Sequence, residues 1–271
     1  MSAFLEKNSL LVSRKDFVRT YNPRSHTDPV DLIEEYFEVI DYATRHPDKS
    51  SGTIATALDL PHRRVQSWIR FDDPVIPRCV RGLETAERNG WIAITTDSKT
   101  FQGMNILVAS AFADHPKTDP SWEPTFSVQN SSSLQRLITA MQWIGAEFAF
   151  DRDNPRSRVS ALSVTTAPAV LGRVLHVLGA PRSGVRDEAL HLPAYLQSVD
   201  REHREAFVKT YLKNQDFTAN STETLELEAT ANGPYLTELV HLIEAVTGEP
   251  ITHNGRRLEF SKQTAETLGL G

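Results

Sequence analysis

Two stretches of this chain read as copies of one unit, and a repeat constrains a fold strongly because both copies must build the same elements in the same order. The first runs from about Leu134 to Leu196 and the second from about Arg204 to Leu268. In the first, the serines at 131–133 offer an N-cap, and Leu134, Leu137, Ile138, Met141 and Ile144 recur on one helical face. In the second, Asp200 is the expected cap, followed by Ala206, Phe207, Thr210 and Tyr211. A strand and a second helix come next in both, at 159–164 and 170–181, then at 225–229 and 239–250. Both second helices end Gly-x-Pro, a capping glycine with a proline stop. Asn254-Gly255 predicts a hairpin turn between short strands at 251–253 and 258–260.

The N-terminal part follows a different pattern. Residues 1–28 read as a loosely attached arm. Ile33, Phe37 and Ile40 mark a surface helix that breaks at His46-Pro47. Residues 50–69 divide into a short helix carrying Ile54, Ala55 and Leu58, a turn at Asp59-Leu60, and a second helix opened by Pro61. Val65, Trp68 and Ile69 form the inner face of that second helix, leaving His62, Arg63, Gln66 and Arg70 outward, with Arg64, Arg78 and Arg81 close by. This is the helix-turn-helix pattern, in which the second helix enters the major groove and supplies phosphate and base-edge contacts. Paired short helices also occur in purely structural bundles. Val80, Leu83 and Ala86 predict a further helix stopped by Asn89-Gly90, and residues 91–95 and 105–109 read as strands, either a wing or the start of the next sheet. The proline-rich segment 114–124 marks a boundary.

Residues 138–151 and 204–216 resemble the two signature helices of the LAGLIDADG homing endonucleases, and Leu192-Pro193-Ala194-Tyr195-Leu196 is similar to the segment that precedes the second signature in that family. The resemblance covers about half of the chain and lies in order and spacing more than in identities. Together with the helix-turn-helix pattern it implies an α+β chain: an N-terminal helical helix-turn-helix domain, then a pseudo-symmetric double LAGLIDADG saddle of αββαββα type. The boundaries expected are an arm at 1–28, a possibly winged DNA-binding domain at 29–113, a linker at 114–130 and the double domain at 131–271, with repeats of about 133–196 and 200–268. It also implies that the two signature helices pack side by side, Gly145 and Ala146 facing Ala206 and Thr210.

With Gly145 and Thr210 in the motif's glycine position, the metal-holding acids fall at Phe150 and Gln215, neither of which is an anionic ligand. Asp151 and Asp216 each stand one residue further on, about 100° around a helix. The expectation is therefore a scaffold that binds double-stranded DNA without catalytic residues or a cofactor. The alternative is a Mg²⁺-dependent endonuclease or nickase using Asp151 and Asp216 as catalytic and metal-holding residues. A third reading makes both folds protein-interaction modules. Arg152, Arg156 and Arg158 beside the first motif, and Arg256 and Arg257 after the hairpin turn, are either DNA contacts or solvated basic residues.

Composition sets the outer limits. The formal net charge of −6 means that any nucleic-acid affinity must come from local basic clusters. Arginine outnumbers lysine 21 to 8, which suits bidentate phosphate and guanine contacts. Cys79 is the one cysteine, which excludes an internal disulfide and reads as a small buried hydrophobe. No apolar run is long enough to cross a bilayer, so a cytoplasmic protein without a membrane partner is expected. A fused two-copy saddle needs no partner to complete its symmetry, which favours a monomer over a weak homodimer.

Overall fold

The computed structural model describes residues 11–21, 28–113, 122–151, 160–182, 189–215, 217–219, 224–229 and 233–270. The chain is α+β and falls into two compact units, residues 13–88 and a second that takes in residues 11–12 and everything from Asn89 onward. Among the described residues no helix is long and apolar enough to cross a membrane.

Among the described residues the first unit is all helical: α1 Arg14–Arg19, α2 Pro29–Arg45, α3 Ser51–Ala57, α4 His62–Trp68 and α5 Arg78–Arg88. Side-chain caps start three of them. Ser13 accepts from the Asp16 amide (3.1 Å), Asp28 from Val30 (2.9 Å) and Ser50 from Thr53 (3.2 Å). Residues 14–19 therefore do not belong to a loose arm, because α1 packs on α2 and α5 through buried Phe17 and Val18. The core face of α2 is Ile33, Tyr36 and Val39, and Phe37 is 46% exposed. The expected stripe is rotated because Tyr36 meets Trp68 edge to face at 5.5 Å, a contact that no local spacing announces. Cys79 is buried, as are Val80, Leu83 and Ala86.

In the second unit, α6 spans Lys99–Ala113. The strand expected at 105–109 is thus the middle of a helix, and residues 91–95 are an irregular segment pinned by Ala93 N–H to Val12 O (2.9 Å) and Leu11 N–H to Ile94 O (3.1 Å). There is no wing. The apolar run misleads because α6 is buried on all sides, and a fully buried helix has no polar face to display its period. Then come β1 Thr125–Val128, α7 Ser131–Ile144, β2 Phe148–Asp151, β3 Ser160–Val164 and α8 Pro168–Val177. After a 3₁₀ turn at Ala194–Gln197 the chain continues as α9 Arg201–Lys213, β4 Phe217–Ala219, β5 Leu225–Glu228, α10 Pro234–Thr247, β6 Thr252–Asn254, β7 Arg257–Phe260 and α11 Lys262–Leu268.

Both sheets are antiparallel, ordered β1-β3-β2 and β4-β5-β7-β6. The two orders share a pattern that differs in frame from the expected repeat. The order β1-β3-β2 matches β5-β7-β6, so α7 corresponds to α10 and α8 to α11, while α6 takes the place of α9. The αββαββα order is itself a helix-and-hairpin unit used twice. A slip of one such unit therefore aligns α7 with α9 equally well in sequence. β1 also shows that the expected linker contributes a strand.

The central helix pair is accordingly not α7 and α9, which touch only marginally. α6 lies between them and packs along both. A Cβ on Gly103 of α6 would stand 2.8 Å from the Ala140 carbonyl oxygen and 2.8 Å from Ile144 Cγ2, so the close approach of α6 to α7 requires glycine. Gly103→Ala gains about 1 kcal/mol of helix propensity. The clash with α7 backbone is expected to outweigh it, with a net loss of about 1–3 kcal/mol, read as a lower urea midpoint.

His176, near the end of α8, lies 5.4 Å from the Trp122 ring, over which Arg173 and Arg182 stand at 4.3 and 3.8 Å. Burial first, and then these two cations, hold its imidazole below the ordinary value. A depressed folded pKa means that protonation favours the unfolded chain. The stability contributed by neutral His176 is complete above the unfolded value of about 6.5 and is lost as pH falls below it. His176→Gln is expected to flatten the fall in Tm between about pH 6.5 and 5, measured by thermal scans against pH.

Candidate nucleic-acid interface

The first unit carries its exposed basic face on α4. The chain turns into this helix through Asp59, in the left-handed region at φ 52°, and Leu60, whose N–H reaches Ala55 O (3.0 Å). Val65 and Trp68 are buried, which fixes the rotation of α4 and leaves His62, Arg63, Gln66 and Arg70 exposed. Lys49, Ser51, Arg63, Gln66, Ser67, Ile69 and Arg70 line an open depression of about 650 Å³. Its rim has cationic heads, and Gln66 offers both an amide donor and an acceptor. Lys49 and Ser51 were not singled out from sequence, because they precede α4 and only the α3–α4 turn brings them beside it.

The other predicted residues of this unit divide. His62 accepts or donates at Ser51 Oγ (3.1 Å) and its ring lies over Gly52, so it ties α4 to the start of α3. Arg64 does not face outward: its guanidinium pairs with Glu35 of α2 and lies 5.9 Å from the Trp68 ring centre. Its assignment to DNA contact is corrected, since one residue beyond Arg63 on a helix is about 100° of rotation, here toward α2. Arg78 and Arg81 are exposed on α5 and do not line the depression.

The sites expected in the second unit are largely rearranged. Gly145 does not lie at a helix crossing. It is the left-handed C-cap of α7 (φ 68°), and a Cβ there would meet nothing within 4 Å. Phe150 and Asp151 follow in strand β2, where Phe150 pairs with Leu162 and Asp151 with Ala161. Both therefore stand in a strand rather than at the end of α7. Thr210 is buried within α9. Gln215 donates its amide to Ala113 O (3.1 Å), and Asn214 donates to Ser110 Oγ at 3.4 Å, so the C-terminal end of α9 meets that of α6. With its amide engaged and no charge, Gln215 does not fit a divalent metal. No group of three or more acidic, histidine or cysteine side chains suited to a metal occurs among the described residues.

Arg256 and Arg257 stand at the β6–β7 turn and are paired, loosely, with Glu228 and Glu226 at 3.4 Å each. Arg152, Arg156, Arg158 and Asp216 lie outside the described residues. No protein-family model matches the chain, and no curated protein does.

Proposed function

We propose that this chain is a sequence-specific double-stranded DNA-binding protein, acting as a transcriptional regulator, with α3 and α4 as a helix-turn-helix and the second unit as a degenerate double LAGLIDADG domain. The observation that carries the reading is the depression along α4, where Arg63, Gln66 and Arg70 stand together with Lys49 and Ser51 on a face fixed by buried Val65 and Trp68. Arginine and glutamine are the side chains whose paired donors and acceptors suit guanine and adenine edges. The α9-to-α11 run follows the αββαββα order, and its partial repeat from α6 to α8 supports the saddle and a monomeric binding unit.

The reading is tested by selecting bound duplexes from a random DNA pool in Mg²⁺ and sequencing intact and cut products. A recovered motif without cutting is expected. No preference over random DNA would overturn the proposal. A second reading, a Mg²⁺-dependent endonuclease, is favoured by one fact of sequence. Asp114 and Asp216, both outside the described residues, are each the sixteenth residue after their helix's N-cap, Ser98 and Asp200. Site-specific cuts that vanish in Asp114→Asn and Asp216→Asn would establish it.

A further inference from the structure

We propose that Arg136 of α7, with Lys213 of α9, forms a binding site for a phosphate dianion in the second unit. The Arg136 guanidinium donates from Nη1 to Ser132 Oγ (2.8 Å), while its Nε and Nη2 are buried and have no hydrogen-bond partner among the described residues. Those two nitrogens share one edge of the planar group. That edge carries the parallel pair of N–H bonds that matches two oxygens of a phosphate or carboxylate. Leaving a buried, charged donor unpaired is costly, so an edge with both prongs bare is poorly explained as a structural contact.

Lys213 adds the second charge. Its ammonium is held below its ordinary range by burial first, then by the charges of Arg136 and Lys209. On the same helix the Glu205 carboxylate is engaged by Lys209 (2.6 Å). Lys213 Nζ lies 3.4 Å from where a Cβ on Gly269 would stand, so it sits at the C-terminal end of α11, whose carbonyls compensate it in part. Burial lowers the pKa of Arg136 as well. A bare guanidinium edge that feels the Lys213 charge, with no carboxylate paired to either side chain among the described residues, matches a dianion better than the single charge of a carboxylate or a DNA phosphodiester. Arg136 as a whole is only partly buried.

The shared chemistry is a phosphate dianion, free or terminal on a nucleotide, and the test separates the two. Thermal unfolding of the full chain is followed with inorganic phosphate and with a nucleoside 5′-monophosphate, against chloride at matched ionic strength. The Tm is expected to rise saturably with inorganic phosphate, and a rise with the monophosphate as well would show that esters are admitted. Arg136→Met is expected to abolish the rise and, in chloride, to be at least as stable as the parent, because an unpaired buried charge has gone. Lys213→Gln should weaken the apparent affinity about tenfold or more. No phosphate response in the parent, or an equal response in Arg136→Met, overturns the proposal. If Arg136→Met does not fold, an unchanged affinity in Lys213→Gln overturns it.

Discussion

Trp91→Ala is expected to lower the stability of the chain by about 3–5 kcal/mol, the range for removing a buried aromatic side chain. Trp91 is fully buried, the largest side chain in that state, and its indole N–H donates to Ile144 O at 2.8 Å. That carbonyl belongs to the last turn of α7, where helix carbonyls lack intrahelical partners, so truncation leaves a cavity and an orphaned acceptor together. Against a typical stability of about 5–15 kcal/mol the loss is large. Trp91→Phe isolates the second part: it keeps most of the volume and should cost about 1–3 kcal/mol. Urea titrations read both, as a lower midpoint at an unchanged slope. A loss below about 1 kcal/mol for the alanine variant, within the reach of ordinary surface changes, would mean that the segment after α5 does not anchor the second unit as described.

The second large effect falls on the proposed DNA binding. Arg63→Ala and Arg70→Ala are each expected to weaken binding to the selected duplex by about 1–3 kcal/mol where the side chain reads a base, and to blur one position of the motif. Where it holds a phosphate instead, affinity should fall evenly across sequences and the slope of log K against log salt should drop by about 0.9 per residue removed. Gln66→Ala should relax preference at an adenine while leaving that slope unchanged. Arg64→Ala is the internal control. Its guanidinium is held by Glu35 against Trp68, so it should lower the urea midpoint and leave the salt slope alone. Fluorescence titrations at several salt concentrations separate these outcomes. An Arg64→Ala variant that behaves like Arg63→Ala would show that α4 presents a different face.

Local signals carried much of this fold. The cap at Asp200, the glycine and proline punctuation around Gly248, the Asn254-Gly255 hairpin and the Val65–Trp68 face of α4 all appear where short-range chemistry places them. Each depends on contacts within one or two helical turns or across a tight turn, which the order of residues alone specifies. The outward set His62, Arg63, Gln66 and Arg70 followed from that same helical period.

Other features depend on contacts between residues far apart in the chain. α6 carries no visible period because it is covered on every side, so its apolar run resembles a strand until α7 and α9 are placed against it. The frame of the repeat is decided by strand order, since helix–hairpin units repeat at a finer grain than the whole αββαββα motif. The glycine needed for close helix packing is Gly103, whereas Gly145 merely caps a helix. Arg64 and Arg136 look like any other surface arginine in sequence. Only packing shows that one is held by Glu35 and that the other keeps a buried, unpaired edge, because burial and pairing are properties of neighbours that the chain brings together when it folds.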